Sequence, residues 1–291
     1  MQKVAWGNEI FIKRITNEES KLVSKEYLPT SDGDYLMLID DTPEASGVRN
    51  ALTIANFPFD SSNILAKTLA KIRGSDENYI VLTRKVIPIG TGLGGGSSDA
   101  AVLINCLNGA VNSEEIVKIG SDVPFLAHNC NAAIVSGIGD KIHEIELNGY
   151  NDWVYILIPQ ELVSTKDIFC KARELLSSGK FHKNTRLFER NLEFVKGFNS
   201  LASGDDLESS ETLGNDMEGC IINGNVLKLH NLLKNLLHGK CFGMSGSGSS
   251  FFVLGTNDDV MKQIRHTYGS PLIIVKTRFK SEGNNHVFEY L

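Results

Sequence analysis

Residues 90 to 96 hold five glycines, followed at once by Ser97 and Ser98. A backbone stripped of Cβ atoms lets an anion come close, and free amides at a helix N-terminus present the positive end of the helix dipole to it. The two hydroxyls add donors for phosphate oxygens or a hard oxygen ligand for Mg2+. That chemistry is phosphate binding, with a tight ligand-free turn as its plain alternative. A second glycine-serine turn runs from Ser245 through Gly246, Ser247 and Gly248 to Ser250. The third element is Asp122, within Gly120-Ser121-Asp122-Val123-Pro124-Phe125. A carboxylate held there can take the proton of an alcohol as a phosphorus–oxygen bond forms, or it can simply cap a helix.

Known phosphate motifs narrow the reading. GxxxxGK[ST] fails, because no lysine follows the glycines. GxGxxG matches at Gly90, Gly92 and Gly95, with Glu114 or Glu115 at about the distance of a ribose contact, so a nicotinamide dehydrogenase remains an alternative. That reading leaves Ser97, Ser98 and the second glycine turn without a role.

The elements that must position these residues can be read from periodicity. Alternation at Ile10 to Ile12 and at Tyr35 to Ile39 predicts strands, with a turn at Asp32-Gly33-Asp34. Asp60, Ser61 or Ser62 can cap a helix whose face is Ile64, Leu65, Thr68, Leu69 and Ile72, with Gly74 ending it. Tyr79 to Ile87 alternates as a strand into the glycine loop, and Ala100 to Leu107 follows as a helix. Ser113 opens a short helix, and Pro124 makes its own segment a loop or helix entry. Trp153 to Ile158 reads as a buried strand, Thr165 to Leu176 as a helix, and Ser200 to Glu211 as a solvated loop. Helical spacing returns from Val226 to Leu237, with Gly239 as its cap, and Phe251 to Leu254 is a strand. A composition change at Asn148 to Asp152 suggests two domains, 1–152 and 153–291.

Lys and Arg total 29 against 35 Asp and Glu, a net charge of −6, which argues against nucleic acid as a bulk partner. The five cysteines are widely spaced without a CxxC pair, so neither a disulfide framework nor a zinc site is expected. The first residues lack a secretory pattern and the apolar runs are shorter than a membrane span, so the expected location is cytoplasmic and no membrane partner is expected.

Pro88 to Ala101, PIGTGLGGGSSDAA, closely resembles the ATP-phosphate loop of the GHMP kinases. The likeness continues, in the family's order, through Asn63-Ile64-Leu65, Gly120 to Phe125, Val163 to Phe169, Asn215-Asp216-Met217-Glu218 and Gly243 to Gly248. The resemblance implies an α/β (α+β) protein with a ribosomal protein S5 domain 2-like N-terminal domain and a ferredoxin-like C-terminal domain. It implies ATP as co-substrate and transfer of its γ-phosphoryl group to a small alcohol; in the most similar branch this is a cytidine diphosphate-linked methylerythritol of isoprenoid-precursor synthesis. ATP would lie on Pro88, Ile89, Gly90, Thr91, Gly92, Leu93, Gly94, Gly95, Gly96, Ser97 and Ser98, with Asn63 and Lys85 near the nucleoside. Asp122 matches the family's catalytic aspartate and Thr165 a hydroxyl on the substrate side. Gly246, Ser247 and Gly248 would close over phosphates and substrate, and Ser97 could ligate Mg2+. Asp99, in the first turn of the following helix, either joins Ser97 as a ligand or simply favours the helix dipole.

The amino terminus departs from this pattern. The family's first strand reads approximately Ala-Lys-Ile-Asn-Leu, its lysine beside the catalytic aspartate. Here Trp6 to Ile12 places Gly7 at the lysine and Glu9 near the asparagine. Asn17-Glu18-Glu19-Ser20 stands where an Asp-Gly-Tyr-His segment helps hold the cytidine ring. Loss of the ammonium, with Glu9 added nearby, would raise the pKa of Asp122 unless Lys3 or Lys13 substitutes. These changes keep two further readings open, a nucleotide-binding relative without catalysis and a kinase for another alcohol.

Overall fold

The alternation at Ile10 and Ile12 becomes strand β1 (Glu9–Ile15) in the computed structural model, which describes residues 1–23, 28–29, 34–39, 57–74, 77–107, 113–146, 152–161, 163–181, 191, 213–238, 240–281 and 287–291. The Asp32-Gly33 turn, residues 148–151 of the composition change, the polar stretch 200–211 and Gly239 lie outside the described residues. The chain forms two units, one of residues 1–3, 7–89 and 94–145, the other of residues 4–6, 90–93 and 146–291.

In the first unit, after the short helix α1 (Asn17–Ser20), strands β2 (Leu28–Pro29), β3 (Tyr35–Ile39) and β4 (Asn78–Arg84) join β1 in the order β1-β4-β3-β2. β4 is antiparallel to β1 and parallel to β3. Successive side chains of a strand point to opposite faces, so Tyr79, Val81 and Thr83 of β4 are buried while their neighbours are not. Helix α2 (Ile64–Ile72) places Leu65 and Leu69, one turn apart, in a core with Leu36, Val81 and Leu103. Each such leucine contributes about 1.5–3 kcal/mol by leaving water. The cap of α2 is Asn63 rather than Asp60, Ser61 or Ser62; Asp60 instead accepts the Ser62 N–H at 2.8 Å, a turn earlier.

Helix α3 (Gly95–Cys106) begins inside the glycine run, well before Ala100. Glycine's low helix propensity hides that start from a pattern reading, but the last glycines of the loop are its first turn. Helices α4 (Ser113–Ile119) and α5 (Val123–Ala127) follow, α5 entered through Pro124, and then the hairpin of β5 (Ala133–Ser136) and β6 (Lys141–Glu144).

The second unit is built on β7 (Val154–Pro159), whose six residues are all buried, as its unbroken apolar run predicts. Helices α6 (Thr165–Ser177), α7 (Gly224–Leu236) and α8 (Asp258–Tyr268) accompany strands β8 (Phe242–Met244), β9 (Phe251–Val253), β10 (Leu272–Thr277) and β11 (Phe288–Tyr290). The sheet order is β11-β10-β7-β9-β8, antiparallel throughout. Leu157, Ile168, Leu229, Leu233, Phe251, Ile264 and Ile274 belong to its core. No helix among the described residues is long and apolar enough to cross a membrane.

Candidate active site

The glycine loop leaves β4 and takes positive φ at every second residue: 72° at Gly90, 71° at Gly92 and 68° at Gly94. Side-chain-bearing residues rarely occupy that region, so the alternation fixes these three positions as glycine. The first part of the loop is stitched into the second unit through its carbonyls. Gly90 accepts from the Val163 N–H (3.4 Å), Thr91 from the Ser250 N–H (3.1 Å) and Gly92 from the Ser245 hydroxyl (2.9 Å). A Cβ on Gly92 would lie 2.2 Å from the Ser245 carbonyl oxygen, so the two glycine turns pack backbone to backbone. The N–H groups of Gly92 to Ser97 donate to nothing among the described residues, while Ser98 donates to Gly94. Amides with that freedom at the start of a twelve-residue helix are suited to phosphate oxygens.

Asp122 sits at the N-cap position of α5, yet its side chain makes no capping hydrogen bond. Capping is therefore not its role here. Burial pushes its carboxyl pKa up, and no neighbouring cation is among the causes of its shift. Lys13 lies out at the surface near Glu19, and Lys3 donates to the His128 carbonyl (2.7 Å) over the Phe125 ring. Neither takes the place of the missing lysine. Contrary to the expectation from its position in the sequence, Glu9 pairs with Arg84 across the β1–β4 ladder and is not among the causes of the Asp122 shift. The backbone just before Asp122 packs on the β5–β6 turn, where Gly139 (φ 101°) comes so close that a Cβ would meet the Ser121 carbonyl oxygen at 1.9 Å.

Lys85 and Asp99 form a buried ion pair at 2.7 Å, their side chains 5% and 4% exposed. The other carboxylate oxygen of Asp99 accepts from the Asn8 amide (2.7 Å), and the Asn8 oxygen accepts from the N–H groups of Val86 (3.0 Å) and Ile87 (2.9 Å). This cluster ties the residue before β1, the strand-to-loop segment and the first turns of α3 together. Asp99 is thereby committed to protein partners rather than to a metal. Lys85 turns its ammonium inward, so any nucleoside contact from it would come from its backbone. Asn63, 3% exposed, accepts from the Leu65 N–H (2.8 Å) and donates to the Pro58 carbonyl, which makes it a helix cap.

Ser97 makes no hydrogen bond through its hydroxyl among the described residues, and it lies 3.5 Å from where a Cβ on Gly120 would stand. Its oxygen suits Mg2+ in kind, as a single neutral hard ligand; among the described residues no group of three acidic, histidine or cysteine side chains could hold a metal alone. In the second unit Ser164 caps α6 by accepting the Asp167 N–H (3.3 Å), which leaves Thr165 for a 3.0 Å hydrogen bond with Ser247. Gly246 and Gly248 take φ of 55° and 84° on either side of that serine.

Comparison with known proteins identifies the family and the fold. The family model described as "GHMP kinases N terminal domain" matches residues 62–141. A 4-diphosphocytidyl-2-C-methyl-D-erythritol kinase of Fusobacterium nucleatum is 30% identical over 69% of this chain and 69% of its own. One from Prosthecochloris aestuarii is 30% identical over 76% and 79%. A crystal structure of 4-(cytidine 5'-diphospho)-2C-methyl-D-erythritol kinase superposes with a TM-score of 0.56 at 19% identity, covering 93% of this chain and 86% of that one. The fold and these relatives define a small-molecule kinase of mixed α/β architecture, for which ATP is the implied phosphoryl donor. The chain belongs to the GHMP kinase family.

Proposed function

We propose that this kinase transfers the γ-phosphoryl group of ATP to the 2-hydroxyl of 4-diphosphocytidyl-2-C-methyl-D-erythritol. The observation that carries the reading is Asp122, a partly buried carboxylate without a capping bond or, among the described residues, a cationic partner, inside the segment 62–141 that matches the family model. Its raised pKa makes it a stronger base than an ordinary carboxylate while leaving it ionised above the shifted value. In this reading Asp122 takes the hydroxyl proton as the oxygen–phosphorus bond forms and the bond to the β-phosphate oxygen breaks, releasing ADP. The free amides from Gly92 to Ser97 neutralise charge on the phosphates, and Ser98 adds a hydroxyl. Ser97 would offer its oxygen to Mg2+, whose contribution is charge neutralisation on the phosphates and whose remaining ligands would be phosphate and water. Thr165, hydrogen-bonded to Ser247, would supply the substrate-side hydroxyl that the family resemblance implies.

One feature favours a second reading, a different small alcohol. Where the family's cytidine-holding segment is expected, Thr16 and Glu19 bond each other's backbone in a capping box around α1, and Asn17 accepts from the Asn78 amide (2.7 Å). The deciding experiment follows ATP consumption and product mass with the cytidine compound and with a panel of small alcohols, for wild type and Asp122→Asn. Phosphorylated cytidine compound, lost at least about 10²-fold in the variant, is the expected result. Product from another alcohol alone would transfer the assignment to that acceptor, and ATP binding without any product would overturn the kinase reading.

A further inference from the structure

We infer that Asn215 and Glu218 clamp the second glycine turn in place, and that Asn215 is thereby a positioning residue for phosphoryl transfer; the second half of this rests on the kinase reading above. The two residues flank the start of a 3-10 turn (Asp216–Cys220). Asn215 uses both ends of its amide. Its oxygen caps the turn by accepting the Met217 N–H (2.9 Å), while its nitrogen donates to the Met244 carbonyl (2.9 Å) and the Gly246 carbonyl (2.7 Å). Glu218 completes the grip by accepting the Met244 N–H (3.1 Å). Both polar groups of the Met244 backbone and the carbonyl of Gly246 are thus held by one short turn.

Glu218 is itself oriented. Its second oxygen lies 3.1 Å from Nε2 of His230, on α7, and the His230 ring stacks on Phe251 (5.7 Å between centroids, 17° between planes) at the first residue of β9. The strand entering the glycine turn and the strand leaving it are therefore fixed by connected side chains. What they fix is the surface on which Gly92 rests: a Cβ on Gly246 would lie 3.0 Å from the Gly92 carbonyl oxygen, and Ser245 bonds that same oxygen. Ser247, bonded to Thr165, sits between the clamped Gly246 and Gly248. A glycine-rich turn has more backbone freedom to lose than any other, so a side chain that holds its carbonyls does work that the turn's own sequence cannot.

Asn215→Asp separates clamping from capping. Aspartate caps as well as asparagine, so the 3-10 turn keeps its N-terminal bond, but both donated bonds to Met244 and Gly246 become contacts between oxygens. Amide hydrogen exchange of the peptide covering Met244 to Ser250 is expected to accelerate about tenfold or more, with the melting temperature within a few degrees of wild type. In the phosphoryl-transfer assay kcat is expected to fall about tenfold or more with KM for ATP changed less than about threefold. Glu218→Gln, which keeps an acceptor for the Met244 N–H, is expected to exchange as wild type does, whereas Glu218→Ala follows Asn215→Asp. Unchanged exchange in Asn215→Asp overturns the clamp. Accelerated exchange with unchanged kcat overturns its positioning role. Absence of turnover in the wild type would sink the kinase reading alone, since exchange still decides the clamp.

Discussion

Replacing Gly139 with alanine tests whether the β5–β6 turn sets the position of Asp122. The added Cβ would stand 1.9 Å from the Ser121 carbonyl oxygen, where a carbon and a carbonyl oxygen settle at about 3.3 Å. The two backbones must therefore part by about 1.4 Å, and Ser121 immediately precedes Asp122. Misplacement of a reacting group by about 1 Å costs about 10²-fold in rate. A second cost comes from φ of 101°, which alanine adopts unwillingly. Gly179 supplies the control: its φ is 67°, but a Cβ there meets nothing within 4 Å. Gly179→Ala should lose about 1–2 kcal/mol of stability and keep wild-type kinetics. Gly139→Ala should lose about 2–5 kcal/mol, from strain plus overpacking, and about 10²-fold in kcat with little change in KM for ATP. Denaturant titration and steady-state kinetics of both variants provide the comparison. If Gly139→Ala turned over like Gly179→Ala, the turn would not be what holds Asp122.

Asp122→Asn should abolish most turnover yet make the protein more stable at neutral pH. The folded-state pKa of Asp122 is raised above its unfolded value, so the folded chain prefers the neutral form. The resulting destabilisation is fully present above the folded pKa and absent below the unfolded one, about 3.9. The melting temperature of the variant should exceed wild type at pH 7 and converge with it near pH 3; a variant less stable at pH 7 would contradict the assignment of burial as the cause. Lys85→Met leaves the buried Asp99 carboxylate without its cation and should cost about 3–5 kcal/mol in a denaturant titration. A loss under about 1 kcal/mol would show that Asn8 alone can hold Asp99.

The pattern of the chain carried some parts of this description and not others. The unbroken apolar run of β7 and the strand-glycine-serine-helix order around residue 90 are local signals, and they read correctly. Asn63 shows why polar residues are harder: the pattern offers Asp60, Ser61 or Ser62 as the cap, and the next residue, equally able to cap, is the one at which α2 starts. The register of β1 is harder still, because neighbouring strand residues face opposite ways. Aligning the family's asparagine with Glu9 draws attention from Asn8, whose amide reaches Asp99 and the backbone at Val86 and Ile87. Gly139 and Asn215 act through contacts distant in sequence, and nothing in their immediate neighbours announces a partner at Ser121 or Gly246. The GIGD turn around Gly139 was the one available hint, since two glycines in a four-residue hairpin turn suggest backbone conformations that other residues avoid.

The division of the glycine loop between units also has a consequence for how the chain is made. Residues 90–93 emerge from the ribosome long before their hydrogen-bonding partners, with Ser245 following Gly92 by 153 residues. Until Val163, Ser245 and Ser250 are synthesised, the carbonyls of Gly90 to Gly92 lack these partners, so the glycine loop is among the last parts of the fold to acquire its final shape. A nascent chain stalled before Ser245 can form the β4–α3 core while its glycine loop remains unset, and a fragment starting at residue 146 lacks the residues 90–93 on which its own glycine turn packs.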